Sequence, residues 1–285
     1  MCLQEVSMAL QQRTFFLYVF ALLIFVLTIE AQTKKFPSVE IKGSEIRTLK
    51  SKDTGRDYDL YIQSPGALTN GKKYPVLFIL DGQWDFKLLN SVYGGLYYDK
   101  FVPEMIIVGI TYSGENPNYE NLRAIDYTPT PEKRWNGSGD AAKFLKFMKT
   151  EVFPFVEKNY NADPQKRILM GSSLGGLFTL YAMFDEPTLF YGYVAASPAV
   201  SWDTDFSFKQ EKKFAENHKN LPARLFISVG DIEDLTQPVR EFMQIVKSRN
   251  YKGLKVEMRI LEGERHAGNK PEAYNRGLRF MFANE

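Results

Sequence analysis

The residues with the strongest chemical signature in this 285-residue chain are Gly171-Ser172-Ser173-Leu174-Gly175, which satisfy G-x-S-x-G. An apolar strand pattern precedes them and a helical pattern follows, the setting of a turn that lifts a serine hydroxyl out of a sheet. The spacing selects Ser173 over Ser172. Glycines two residues before and after let neighbouring backbone approach a turn whose central residue is held in strained dihedrals. The bland alternative is a glycine-rich packing turn.

A serine hydroxyl attacks a carbonyl only when a base within hydrogen-bond reach takes its proton, and histidine titrates nearest neutral pH. The chain has 2 histidines. His218 lies in the charged stretch EKKFAENHKN and reads as part of a solvated helix face. His266, in EGERHAGN, follows the last strand pattern and precedes the final helix, which makes it the candidate base. A base of this kind needs a carboxylate to set its tautomer. The chain order Ser, acid, His places that carboxylate in the loop after 224–229, where Asp231, Glu233 and Asp234 compete; Glu233 is favoured, with Asp231 and Asp234 as the alternatives, since sequence does not fix the register of the loop.

The oxyanion of a tetrahedral intermediate requires backbone donors. One is the N–H of Leu174, the residue after the nucleophile; the second comes from the Asp81-Gly82-Gln83-Trp84 loop, from Gln83 or Trp84. An ordinary Asp-Gly tight turn is the competing reading of that loop.

The elements that must position these groups are legible as hydrophobic periodicity. Strand patterns fall at 57–62, 74–80, 105–110, 167–170, 193–196, 224–229 and 256–260. Helical patterns fall at 141–161, interrupted at Pro154, and at 174–184, 239–247 and 269–282, the last announced by Asn269 and Pro271. Strands separated by helices imply a mostly parallel sheet with helices on both faces, with chemistry at the carboxyl ends of the strands.

Arg13, the apolar run 15–29 and the small residue Ala31 have the layout of a secretory signal peptide, with an uncleaved membrane anchor as the alternative. The expected organisation is a signal peptide over 1–31 and one α/β domain over 32–285, exported to a periplasm or out of the cell. Cys2 is the single cysteine, so the mature chain has no disulfide or thiolate chemistry. The balance of 36 basic and 34 acidic residues lacks the excess that a nucleic-acid partner demands. No zinc motif or phosphate-binding loop is present, and no cofactor is required.

The stretches YPVLFILDGQ, RAIDYTPT, FLKFMKTEVFPFVEKNYNADPQKRILMGSSLGGLFTLYAMF, SVGDIE and the His266 loop resemble the putative-esterase family of α/β-hydrolases. That family includes esterase D, feruloyl esterases, mycolyltransferases and ferric-siderophore trilactone esterases; the likeness to the last is greatest. The resemblance implies an α/β-hydrolase fold, the acid role for Glu233 through G-x-x-E, and a part for Arg123 in binding an anionic substrate group or the oxyanion. A structural ion pair of Arg123 with Asp126 or another loop carboxylate is the alternative.

The expected activity is hydrolysis of a small-molecule ester through an acyl-enzyme. Acyl transfer with the same triad and a catalytically silent binding protein are its rivals. Trp84, Tyr112, Trp135 and Trp202 lie near strand ends, where their rings offer flat faces to an aryl or sugar group. No long insertion separates the core strands and the stretch 193–225 is the only place with room for a modest lid, so the site is expected to be open rather than a deep lipid tunnel.

Overall fold

A computed structural model describes residues 39–66, 68–69 and 71–283; the proposed signal segment lies outside the described residues. Ile41–Glu285 form one compact unit. Among the described residues no helix is long and apolar enough to cross a membrane.

The sheet is built from β1 (Ser44–Lys50), β2 (Asp57–Gln63), β3 (Tyr74–Ile79), β4 (Ile106–Tyr112), β5 (Ala162–Ser172), β6 (Gly192–Ala196), β7 (Arg224–Gly230) and β8 (Lys255–Leu261). Their order is β1-β2-β4-β3-β5-β6-β7-β8. Strand β2 runs antiparallel to β1 and β4, and β3 to β8 run parallel. This mostly parallel sheet with helices on both faces is the one the sequence pattern implies, and it agrees with the α/β-hydrolase architecture that the resemblance implies.

The central strands read as unbroken apolar runs because both faces are covered. Alternate residues of β3 enter two different cores: Val76 and Phe78 join one, Leu77 and Ile79 the other. The second core is closed by α1 (Gly82–Tyr98) and α8 (Lys270–Phe282), through Phe86, Leu89, Tyr274 and Leu278. The first is closed by α2 (Tyr119–Tyr127), α3 (Ala141–Phe147), α4 (Phe153–Tyr160), α5 (Leu174–Asp185), α6 (Trp202–Asn217) and α7 (Thr236–Ser248).

Between α3 and α4 the chain widens into a π-turn at Met148–Val152, immediately before Pro154. A proline inside a helix has no N–H to donate and its ring crowds the preceding turn; the wider turn relieves both, so the axis continues past Pro154.

Three elements were not legible as periodicity. Strand β1 is exposed along most of its length and is held by its antiparallel partner rather than by a buried face. Helix α1 carries Gly94 and Gly95 and a weakly segregated apolar face. Helix α2 sits within the RAIDYTPT region, where Asn118 accepts the Asn121 N–H as its N-cap. The stretch with room for a lid is largely α6, whose first turn is broken by Asp203, Thr204 and Asp205 at positive φ.

Candidate active site

Ser173 stands between the end of β5 and the start of α5 with φ 59° and ψ −117°. Such dihedrals are costly for a residue with a Cβ and persist only where the surroundings impose them. Here the surroundings are two hydrogen bonds that staple the turn to the next strand: Ser173 N–H donates to Ala196 O at 3.0 Å, and Ala199 N–H donates to Ser173 O at 3.1 Å. Gly171 and Gly176 are obligatory on steric grounds. A Cβ on Gly171 would collide with the Gly175 carbonyl, and one on Gly176 would lie 2.9 Å from Pro198 Cα.

Leu174 opens α5, so its N–H has no acceptor within the helix and points out of the helix N-terminus. The second donor loop follows β3. Asp81 is left-handed, with φ 55° and ψ 43°, and its carbonyl accepts Trp84 N–H at 2.9 Å and Asp85 N–H at 3.1 Å. Trp84 N–H is thereby committed to the turn. Gln83 N–H, one residue earlier in the first turn of α1, has no intrahelical acceptor. Of the two donors expected from this loop, the geometry favours Gln83 and removes Trp84. The two loops abut: a Cβ on Gly175 would lie 3.4 Å from Asp81 Oδ2.

Arg123 stands behind this junction. Its Nε and Nη2 donate to Asp81 Oδ1 and Oδ2 at 3.0 and 2.8 Å, and Nη2 reaches Ser172 O at 3.4 Å. Burial works against its charge, but the Asp81 carboxylate prevails and pushes the guanidinium pKa up. Arg123 is therefore a buried structural ion pair, not a free cation facing a ligand, and its partner is Asp81 rather than Asp126. The left-handed turn aims the Asp81 carboxylate inward, while Asp126 is taken by Arg56 and Tyr58. The Tyr127 hydroxyl completes the turn by accepting Asp81 N–H at 3.3 Å.

Among the three carboxylates after β7, Asp231 and Asp234 are exposed. Glu233 turns inward, and its Oε2 lies 2.7 Å from His266 Nδ1. Its Oε1 accepts from Ser197 Oγ at 2.6 Å, Gly230 N–H at 2.6 Å and Asn269 Nδ2 at 3.2 Å. Burial tends to raise the Glu233 carboxyl, but the bonds from His266, Ser197 and Gly230 outweigh it and hold the carboxyl below its usual range. Its side chain is only 5% exposed, whereas that of His266 is 45% exposed, so the ring stands between the acid and solvent.

Ser197 ties this group to the serine turn, because it belongs to the same 196–199 segment that binds Ser173 backbone on both sides. His218 is remote from this arrangement; it ends α6, stacked on Phe214 at 4.4 Å.

The aromatic residues divide. Trp84 is 39% exposed and meets Tyr119 edge-on at 5.9 Å, with the Arg123 guanidinium 5.6 Å from its ring. Trp202 is anchored by its Nε1 to Thr130 O at 3.1 Å, and Trp135 packs on the core from the 132–138 turn. Tyr112 is buried in the core. Of these four rings Trp84 is the most exposed, while Trp135 and Trp202 are half-buried.

Ser197, Asn269 and Asp81 were not singled out by sequence. Asn269 reads as a helix-start signal and does occupy the N-cap position of α8. Yet its side chain makes no capping bond and is spent on Ser197, Glu233 and the His266 carbonyl.

The family described as "Putative esterase" matches residues 51–276 of this chain. The ferri-bacillibactin esterase BesA of Bacillus subtilis is 28% identical over 262 residues, covering 85% of this chain and 90% of that relative. The crystal structure of the BES protein from Bacillus cereus has a TM-score of 0.78 at 29% identity, covering 87% of this chain and 97% of the other. The siderophore hydrolase EstB from Aspergillus nidulans, 23% identical with a TM-score of 0.76 over 87% of this chain and 97% of its own, shares the fold.

Proposed function

The chain belongs to the putative-esterase family and is a serine carboxylic-ester hydrolase, and we propose that it acts through an acyl-enzyme on Ser173, with His266 as general base and Glu233 as the acid that orients it. The observation that carries this reading is the 2.7 Å contact of Glu233 Oε2 with His266 Nδ1, on a network that continues to the backbone of the strained Ser173 turn.

In this mechanism Glu233 keeps the imidazole proton on Nδ1, which leaves the Nε2 lone pair to take the Ser173 proton as Oγ attacks the ester carbonyl. Charge that develops on the carbonyl oxygen is met by the N–H groups of Leu174 and Gln83, both set before the reaction begins. The imidazolium returns its proton to the departing alkoxide. Water then repeats the sequence, with His266 again as base, and releases the acid.

The substrate class we propose is an ester of a hydroxy or aryl acid, such as a ferric-siderophore trilactone. The likeness to the ferri-bacillibactin esterase of Bacillus subtilis supports it, as does the exposed Trp84 beside the donor loop. We further assign residues 1–31 as an export signal, which places the mature enzyme in a periplasm or outside the cell. Two experiments test the proposal. Comparing kcat/KM for a catecholate trilactone with and without iron, a feruloyl ester and long-chain acyl esters should rank the long chains last; the reverse order overturns the substrate class. The mass of the protein recovered after export should correspond to cleavage near Ala31, and an intact N-terminus refutes the signal.

A further inference from the structure

The acid of the proposed triad is held by more than the histidine it serves. Glu233 Oε1 collects three donors: the Ser197 hydroxyl at 2.6 Å, the Gly230 N–H at 2.6 Å and the Asn269 amide at 3.2 Å. Ser197 has one proton, which it gives to Glu233, and its oxygen in turn accepts from Asn269 Nδ2 at 2.6 Å. Both side chains belong to fully buried residues, so water does not compete for these bonds.

Each of the two also fixes a piece of backbone that the reaction needs in place. Ser197 sits at φ 40°, an expensive conformation for a residue with a Cβ, and its N–H donates to Ser228 O at 2.7 Å. Ala196, just before it, and Ala199, two residues after it, bond the N–H and carbonyl of Ser173. Asn269 Nδ2 lies 3.0 Å from the His266 carbonyl, and its own N–H donates to Arg265 O at 3.2 Å. Helix capping, the ordinary use of an asparagine at this position, is absent.

We propose that Ser197 and Asn269 are positioning residues for the hydrolysis: by saturating Oε1 they leave Oε2 as the single acceptor for His266, and they lock the acid, the base loop and the serine turn into one register. The inference rests on the triad reading of the same site. A carboxylate can rotate about its terminal torsion, and each rotation changes which oxygen meets the ring and at what angle. With three donors on Oε1 that rotation would break all of them together. The bonds from Ser197 and Gly230, at 2.6 Å each, are charge-assisted and short, which makes them directional as well as strong, and Asn269 adds a longer contact at 3.2 Å.

The test is a double-mutant cycle read by kcat and KM on a soluble ester, with thermal unfolding as the fold control. Ser197→Ala should lower kcat by up to about 100-fold, the scale of a misplaced reacting group, with KM nearly unchanged. In the Glu233→Gln background the same substitution should change kcat by less than about twofold, since a residue that acts through Glu233 has nothing left to position. Asn269→Asp, which sets a second carboxylate beside Oε1, should shift the acidic limb of the kcat profile upward relative to the wild type, because like charge favours the protonated acid. If Ser197→Ala costs the same factor in both backgrounds, or leaves kcat intact, the positioning role is wrong while the triad stands. If Glu233→Gln alone leaves kcat intact, the acid assignment fails and takes this inference with it.

Discussion

Replacing Glu233 by glutamine is the most demanding test of the site, because the geometry dictates what the new amide must do. Oε1 of Glu233 lies among three donors, from Ser197, Gly230 and Asn269, and Oε2 faces His266 Nδ1. A glutamine can satisfy the three donors only by placing its carbonyl oxygen among them. Its NH2 group is then forced toward Nδ1 and donates to it, so the ring holds its proton on Nε2 and has no lone pair for Ser173. The shape is preserved and the tautomer is wrong. A change of this kind costs about 10⁴ in kcat in the serine-protease triad, equivalent to roughly 5.5 kcal/mol of barrier. Glu233→Ala frees Nδ1 to water and so imposes no tautomer; it should retain more activity than Glu233→Gln, although leaving three buried donors unpaired costs about 1–3 kcal/mol of stability for each. Steady-state kinetics on a chromogenic ester, paired with thermal unfolding, reads both quantities. A glutamine variant with more than a tenth of wild-type kcat, or an Asp231→Asn variant slower than it, would refute the reasoning.

Ser173→Ala and His266→Ala should each abolish turnover and fluorophosphonate labelling, on the scale of a millionfold loss, whereas Ser172→Ala retains activity and is as stable as the wild type, since the buried Ser172 hydroxyl has no hydrogen-bond partner among the described residues; labelling that survives Ser173→Ala refutes the nucleophile. Arg123→Met strands the buried Asp81 carboxylate and should cost about 3–5 kcal/mol in denaturant unfolding, and its loss of kcat/KM should be equal for neutral and anionic esters; a loss confined to anionic esters would return Arg123 to the substrate. Because the folded-state carboxyl of Glu233 lies below its usual range, its contribution to stability is present above the unfolded pKa, near 4.3, and fades as pH falls through the lower folded value. The stability difference between wild type and Glu233→Gln should therefore shrink in denaturation curves below about pH 4, and a constant difference contradicts the assignment.

Much of the fold was legible because burial on both faces of a parallel sheet writes itself into the chain as apolar runs, and β3, β4 and β7 are such runs. The elements that escaped are those whose stability comes from neighbours instead of pattern: β1 leans on the ladder of β2, and α1 is packed across the sheet with α8. The site divides in the same way. Local sequence sufficed to nominate Ser173, because a strained turn needs glycines at set spacings within one short segment, and to nominate His266, because it is one of 2 histidines and the other lies in a charged stretch. It did not suffice for the second oxyanion donor, where Gln83 and Trp84 differ only in which N–H the left-handed Asp81 turn consumes.

By itself the sequence determined the architecture, the serine turn and the candidate base, since each depends on contacts between near neighbours or on periodic burial. Tertiary structure alone brought the favoured Glu233 against His266 while leaving Asp231 and Asp234 exposed, buried Arg123 against Asp81, and gathered Ser197 and Asn269 around Glu233. Those partners are 33 to 72 residues apart in the chain. The meeting of the groups around Glu233 depends on the register of parallel strands β6 and β7 and on the docking of α8, and that of Arg123 with Asp81 on where α2 sits against the loop after β3; no local spacing encodes these.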